Sequence, residues 1–321
     1  SSGLQLGTLG LEYAPGQEKP SLREALTREV RFVQEPGTSF IYSNAGFNLL
    51  ELMIEDVSGM RFADYMREEI LIPSGMQIAD FEWRDDFPTA VPVGHTVSGE
   101  SVPVYVYSEK GAGGLFANAE DLARFVAYGM LNGFYMQDNA LSQNSIRELY
   151  SPVTEVAGIY AFAADRYGLG HFIETLPDGR TAVFGGGQGH GWMTHFHMVP
   201  DSGDGIVILT NSSRSWPLLS RILTDWAAWN GYGSVGMGII TKAAIGFRIV
   251  IALLLAAVLF FLVRVGHGLA RGYRQLNLRF PLKPALRITQ IVLSVLLAGA
   301  LIWGFTREYL AITAIFPVES P

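Results

Sequence analysis

Apolar side chains recur at helical spacing after Asn44, at Phe47, Leu50, Met53, Ile54 and Val57, and Gly59 stands where such a helix would end. The pattern predicts an amphipathic helix buried through that face. Further helices read out on either side of it. Ser21 is a candidate cap for a helix from Leu22 to Phe32, and Phe62 to Ile70 forms another that stops before Pro73. Asn118, with Glu120 and Asp121 in the first turn, opens a helix to about Leu131, and Ser142 or Ser145 opens a short one to Tyr150. Residues 80–110 carry Pro88, Pro92, Gly94, Gly99 and Pro103 and hold only short strand-like runs.

Strand periodicity then takes over. Tyr167 to Thr175, Thr181 to Phe184, Trp192 to Val199 and Gly205 to Thr210 are separated by turn signals at Pro177-Asp178-Gly179 and Asp201-Ser202-Gly203-Asp204. Ser215-Trp216-Pro217 reads as a cap with a first-turn proline. The helix it opens would pack Leu218, Leu219, Ile222, Leu223, Trp226 and Trp229 on the sheet. Helices, an antiparallel meander and a closing helix indicate an α+β fold.

Two long apolar runs follow a Gly-rich linker. Ile249 to Val263 is uninterrupted and extends to Ala244 if Arg248 snorkels, and Ile288 to Phe305 is the second. They predict a transmembrane hairpin with helices at residues 244–264 and 287–306, a linker at 233–243, a basic loop at 265–286 and a tail at 307–321. Charge supports the division. Residues 1–238 hold 14 Lys/Arg against 28 Asp/Glu, a net of −14, and residues 239–321 hold 9 against 2, a net of +7. Arg264, Arg271, Arg274, Arg279, Lys283 and Arg287 lie between the spans with no acid among them, which by the positive-inside rule puts the loop in the cytoplasm. The acidic residues 1–232 are then expected outside, in a multi-pass protein of the cell membrane that contacts lipid through two helices. An acidic domain offers no footprint for nucleic acid. The chain has no cysteine, which excludes disulfides and thiol chemistry. An exported domain without a signal peptide, starting at Ser1 and stopping in Phe316-Pro317-Val318-Glu319-Ser320-Pro321, is expected to be truncated at both ends.

Candidate chemistry begins at Tyr42-Ser43-Asn44. A phenol and an amide two residues apart at a helix start can both face one cleft. Such a tyrosine can move a proton if nearby cations lower its pKa, and an asparagine can hold a carbonyl. A core aromatic at Tyr42 and a helix cap at Asn44 are the plainer alternatives, and Ser43 is expected to face away. Pro36 through Met76 resembles the segment around the second motif of the serine beta-lactamase-related hydrolases, which include class C beta-lactamases, penicillin-binding DD-peptidases and related esterases. Ser1-Ser2-Gly3-Leu4 resembles that family's Thr-Ser-Gly-Leu loop. Gly113 through Phe125 and Gly185 through Asn211 continue the resemblance in the family's order.

The resemblance implies a beta-lactamase/transpeptidase-like fold over residues 1–232, with an antiparallel sheet flanked by helices. That fold is expected to be incomplete here. It also implies acyl transfer through a serine whose proton a lysine takes, in Ser-x-x-Lys. The chain has only four lysines, Lys19, Lys110, Lys242 and Lys283, preceded three residues earlier by Gly16, Tyr107, Ile239 and Phe280. No Ser-x-x-Lys exists, so the nucleophile is expected upstream. By the resemblance Tyr42 shuttles the proton, Asn44 binds the acyl side chain, and Gly185-Gly186-Gly187 takes the place of Lys-Thr-Gly. The cation position then reads Gly185, and His190 is the nearest substitute. Gln188 would offer its backbone N–H to an oxyanion. A purely structural glycine turn joining two strands remains the alternative. His190, His195 and His197 invite a metal reading, the last two sharing a strand face, but three ligands from one strand and its turn, with no evident carboxylate, fall short of a site. Neither a metal nor a cofactor is expected. The function expected is a membrane-anchored serine hydrolase acting on a beta-lactam, a D-amino-acyl peptide or an ester. The alternative is an inactive hydrolase-like sensor of cell-wall peptides.

Overall fold

The computed structural model describes residues 1–27, 30–88, 90–130, 141–273, 289, 292–294 and 296–299. They fall into two compact units, residues 1–239 and a second that begins at Ile240.

In the first unit, α1 (Leu22–Leu26) is opened by Ser21 in a reciprocal capping box with Glu24. It is shorter than the expected helix to Phe32, because Phe32 instead bridges Leu4 in extended conformation. Residues 28 and 29 of that expected helix lie outside the described residues. Helix α2 (Asn44–Ser58) closes as expected, on Gly59 in the left-handed region at φ 71°. Its buried face differs from the apolar stripe. Ala45, Asn48 and Glu51 are buried, whereas Leu50, Met53 and Val57 are 48%, 55% and 83% exposed. The reason is polar. The Glu51 carboxylate accepts from the backbone N–H groups of Lys110 and Gly111 at 2.6 and 2.7 Å, and Asn48 Oδ1 accepts from Ala112 N at 2.9 Å. Helix α2 therefore turns its hydrogen-bonding face inward to hold the loop ahead of the next helix.

Helix α3 (Phe62–Tyr65) widens into a π turn over Met66–Leu71. A two-stranded hairpin, β1 (Gly94–His95) with β2 (Ser101–Val102), follows. Helix α4 (Ala119–Tyr128) is capped by Asn118 Oδ1, which accepts from Asp121 N at 2.8 Å. It ends before Gly129, and Leu131 lies outside the described residues. Helix α5 (Gln143–Leu149) takes Ser142 as its cap.

The six-stranded sheet is a pure antiparallel meander, β3 (Thr154–Glu155), β4 (Arg166–Tyr167), β5 (Phe172–Thr175), β6 (Thr181–Gln188), β7 (Met193–Val199) and β8 (Asp204–Thr210), in sequential order. The strand expected over 167–175 is two, broken by a turn in which Gly168 N donates to His171 O and Gly170 has φ 85°. Strand β6 runs four residues beyond the expected end. Gly185–Gln188 is thus strand, paired with Phe196, His195, Thr194 and Met193, and the glycine turn held as the alternative does not form. The turn lies further on, at Gly189–Gly191, where Gly191 has φ 97°.

Helix α6 (Trp216–Trp229) buries Leu219, Ser220, Leu223, Trp226 and Ala227. Leu218 and Trp229, expected on that face, are exposed, while Ser220 enters it because its hydroxyl donates to Met237 O at 2.8 Å. The second unit is dominated by α7 (Ile239–Ala270), which starts inside the expected linker. It is long and apolar enough to cross a membrane by length and composition. At 1.5 Å per residue it spans about 48 Å, against roughly 30 Å of hydrocarbon. Arg274, Arg279, Lys283, Arg287 and most of the second apolar run lie outside the described residues. The described residues of that run, at 289, 292–294 and 296–299, are helical.

Candidate functional site

The segment from Ser1 to Gly7 is stitched to the start of α2. Ser43 caps the helix: its Oγ accepts from Gly46 N at 3.0 Å and donates to Gln5 O at 2.7 Å. Asn44 N donates to Leu6 O at 2.7 Å, and its Nδ2 lies 3.4 Å from Gly7 O. The cap is therefore Ser43 rather than Asn44, and Ser43 is buried against the loop. Asn44, the first residue of the helix, turns its carboxamide to the same loop.

Tyr42 leaves that loop for the sheet. Its ring stacks flat on Phe172 at 6.0 Å and 2°, and on Tyr160 at 5.5 Å and 20°, with Tyr167 edge-on. Burial pushes its phenol above the ordinary range. The group is therefore held as a neutral hydroxyl, opposite to the lowered pKa that a neighbouring cation would give. Phe172 stacks in turn on its cross-strand partner Phe184 at 5.4 Å. Tyr42 thus stands one ring away from the residue that precedes Gly185.

That junction matters because β5 begins there. Its first residue, Phe172, pairs with Phe184, so beyond that point β6 keeps a strand neighbour only on the β7 side among the described residues. Gly186 and Gly187 are exposed along this stretch. Gly187 N donates to Thr194 Oγ1 and Gly189 N to Trp192 O, both toward β7. Backbone groups alternate sides along a strand, so the N–H and C=O of Gly186 and Gln188 point to the open edge. The Gln188 side chain is engaged elsewhere: Oε1 accepts from Trp216 Nε1 at 2.9 Å.

Position 185 is sterically tight. A Cβ there would come within 2.7 Å of the Phe196 ring. His190 does not fill the gap. It follows the far end of the open stretch, about 13 Å along the strand from Phe184, where its Nδ1 meets Glu12 Oε2 at 3.1 Å and its ring lies over Tyr105.

Three buried polar residues escaped the sequence reading as a group. His195 and His197 do share a face, with Nε2 of the first 3.5 Å from Nδ1 of the second. His197 Nε2 lies 3.1 Å from Glu174 Oε1, and the other Glu174 oxygen accepts from Gly236 N at 2.6 Å. Burial, and then His197, push the His195 imidazole down to about 3. Glu174 was readable only as an acid inside an aromatic strand. Among the described residues no group of three or more His, Asp or Glu side chains is arranged to hold a metal ion.

A meander sheet with one open glycine strand, helices before and after it, and a tyrosine stacked at the head of that strand define a beta-lactamase/transpeptidase-like α+β fold. The chain belongs to the beta-lactamase family, whose model matches residues 1–228. It is similar to the D-alanyl-D-alanine-carboxypeptidase/endopeptidase AmpH of Escherichia coli, at 25% identity over 56% of this chain and 46% of that protein. It is also similar to penicillin-binding protein 4* of Bacillus subtilis, at 26% over 59% and 43%, and to a D-aminopeptidase of Gluconobacter oxydans, at 28% over 61% and 36%. The chain spans less than half the length of these curated relatives. Among solved structures, the octameric penicillin-binding protein homologue from Pyrococcus abyssi superposes with a TM-score of 0.56 at 24% identity, covering 69% of this chain and 50% of that one. A class C beta-lactamase does so with 0.52 at 18%, covering 66% and 62%. The family is one of serine hydrolases.

Proposed function

We propose that the first unit is the substrate-binding part of a membrane-anchored, extracytoplasmic serine hydrolase that acts on short D-amino-acyl peptides through an acyl-enzyme. The observation that carries this reading is the open edge of β6 from Gly185 to Gln188, with Tyr42 stacked at its head. An extended peptide can add to such an edge as a further strand through the backbone groups of Gly186 and Gln188. The Gln188 N–H is then the donor for a developing oxyanion. Tyr42, neutral in its apolar stack, serves as the proton donor to the leaving group, and Asn44 faces the acyl portion. The peptide-directed names of AmpH and the D-aminopeptidase support the choice of peptide over lactam or ester. The 321 residues contain no Ser-x-x-Lys. The apolar α7 and the basic residues beyond it support the anchor and its orientation.

Fluorescent penicillin or fluorophosphonate tests this directly. The protein expressed from its native locus should be labelled, and Tyr42→Phe should slow labelling about 10²- to 10⁴-fold, the usual contribution of a positioned acid or base. Absence of labelling by both probes would reject the enzyme reading. A second reading, a sensor that binds cell-wall peptides without cleaving them, is favoured by Gly185, which supplies no cation, and where a side chain would have to displace the Phe196 ring. It predicts peptide binding with no labelling.

A further inference from the structure

Strands β3 and β4 are joined by residues 156–164, whose side chains are apolar throughout but for the Tyr160 hydroxyl, between Glu155 and Asp165. Connections that face water are built mainly from Gly, Pro, Asn, Asp and Ser. This one reads Ala-Gly-Ile-Tyr-Ala-Phe from 157 to 162, and all of these residues are exposed, Phe162 by 59% and Ile159 by 41%. The loop is held at both ends. Val156 and Ala164 are buried in one cluster with Phe40 and Phe184. Val156 N donates to Asp165 O, and Ala163 N and Ala164 N both donate to Tyr160 O, each at 3.0 Å, closing a 3₁₀ turn over Gly158–Phe162. An apolar tip fixed in place and turned outward marks a contact surface.

The path of the chain says what the loop meets. Gly236 packs at its base, so close to Ala163 O that a Cβ there would clash, and Gly236 N donates to Glu174 Oε2 at 2.6 Å. The next residue is held as well, since Met237 O accepts from Ser220 Oγ at 2.8 Å. After the turn over Gly236–Gly238, α7 begins at Ile239 and its uninterrupted apolar run at Ile249. That length of chain covers about 20 Å, so a bilayer that receives α7 lies within that reach of the loop's base. Ile, Tyr and Phe side chains without a charge among them suit the boundary between headgroups and acyl chains.

We propose that residues 157–162 form an interfacial contact that seats the first unit on the lipid bilayer. The proposal rests on the reading of α7 as a membrane span, and it gives the candidate site a location. Tyr160 stacks on both Tyr42 and Phe172 at 5.5 Å, so the head of β6 lies one ring away from the loop and meets its substrate at the bilayer surface.

The chain has no cysteine, so one introduced at Ala161 can be labelled alone. The full 321-residue protein with Ala161→Cys carrying an NBD fluorophore is reconstituted in vesicles of phosphatidylcholine and phosphatidylglycerol, with doxyl-labelled phosphatidylcholine as quencher. The fluorophore at 161 should be quenched at least twofold more than one on Ser98→Cys, an exposed position between β1 and β2. Adding Ile159→Glu and Phe162→Glu should lower the quenching at 161 to the Ser98 level. Both side chains are exposed, so the fold should persist, as circular dichroism would verify. Equal quenching at the two positions, or quenching that survives both glutamates, would overturn the contact. So would energy transfer between labelled copies in place of lipid quenching, which would give the face to a second copy of the chain. Carbonate extraction of the same vesicles separates this proposal from the one it rests on. Protein that resists extraction yet shows no quenching at 161 rejects the loop contact alone, and protein that is released rejects the anchor.

Discussion

A β-carbon at position 185 would meet the Phe196 ring at 2.7 Å, and the two residues face each other across β6 and β7. Gly185→Ala should therefore destabilise the protein by about 1–3 kcal/mol, the usual cost of overpacking. In a double-mutant cycle Phe196→Leu should recover part of that loss in urea denaturation. Additive costs would mean that Phe196 is not what excludes the side chain. His195 offers a second residue-scale expectation. Its folded pKa is depressed to about 3, so the unfolded chain binds more protons than the fold does below the ordinary histidine value of about 6.5. The stability held above pH 6.5 is thus lost progressively as pH falls from there toward 3. Nitrogen chemical shifts of the ring should report one neutral tautomer at pH 5. An imidazolium at that pH would contradict the burial argument.

Helix α2 belongs to the next scale. Its inner face is made of amides and a carboxylate that clamp the loop at residues 110–112, so its hold on the fold is polar. Glu51→Ala would leave the half-buried N–H donors of Lys110 and Gly111 without their acceptor, at about 1–3 kcal/mol in all. A change below 1 kcal/mol in chemical denaturation would show that water or a neighbour takes over. This helix also marks the limit of what periodicity reveals. Its start, its length and its Gly59 stop were legible, because caps and spacing are local properties. Its buried face was not, because Leu50, Met53 and Val57 look like a core stripe until the loop bonds of Asn48 and Glu51 are known. The same holds for the glycine run. A turn is one of two readings of the three successive glycines, yet pairing with β7 keeps them extended, and the turn lies at Gly189–Gly191. Tyr42 and Asn44 were recognisable by their resemblance to a known motif. The Phe172–Phe184 stack that seats Tyr42, and the Glu12 contact that draws His190 away, depend on residues far off in sequence.

For the molecule as a whole, the charge contrast and α7 give the anchoring proposal a simple check. In membranes from cells expressing the protein, sodium carbonate at high pH should leave it in the pellet and detergent should release it. Externally added protease should digest the acidic unit in spheroplasts with intact membranes. Release by carbonate alone would reduce the association to a peripheral one.

Strand β6 has one last consequence, for deuterium exchange. Along its open half and just past it the amides alternate, those of Gly187 and Gly189 bonded toward β7 and those of Gly186 and Gln188 pointing to the open edge. Incorporation should be slow and fast at successive positions. A peptide seated on that margin would protect the second pair alone, so two amides would report occupancy even where no bond is cleaved.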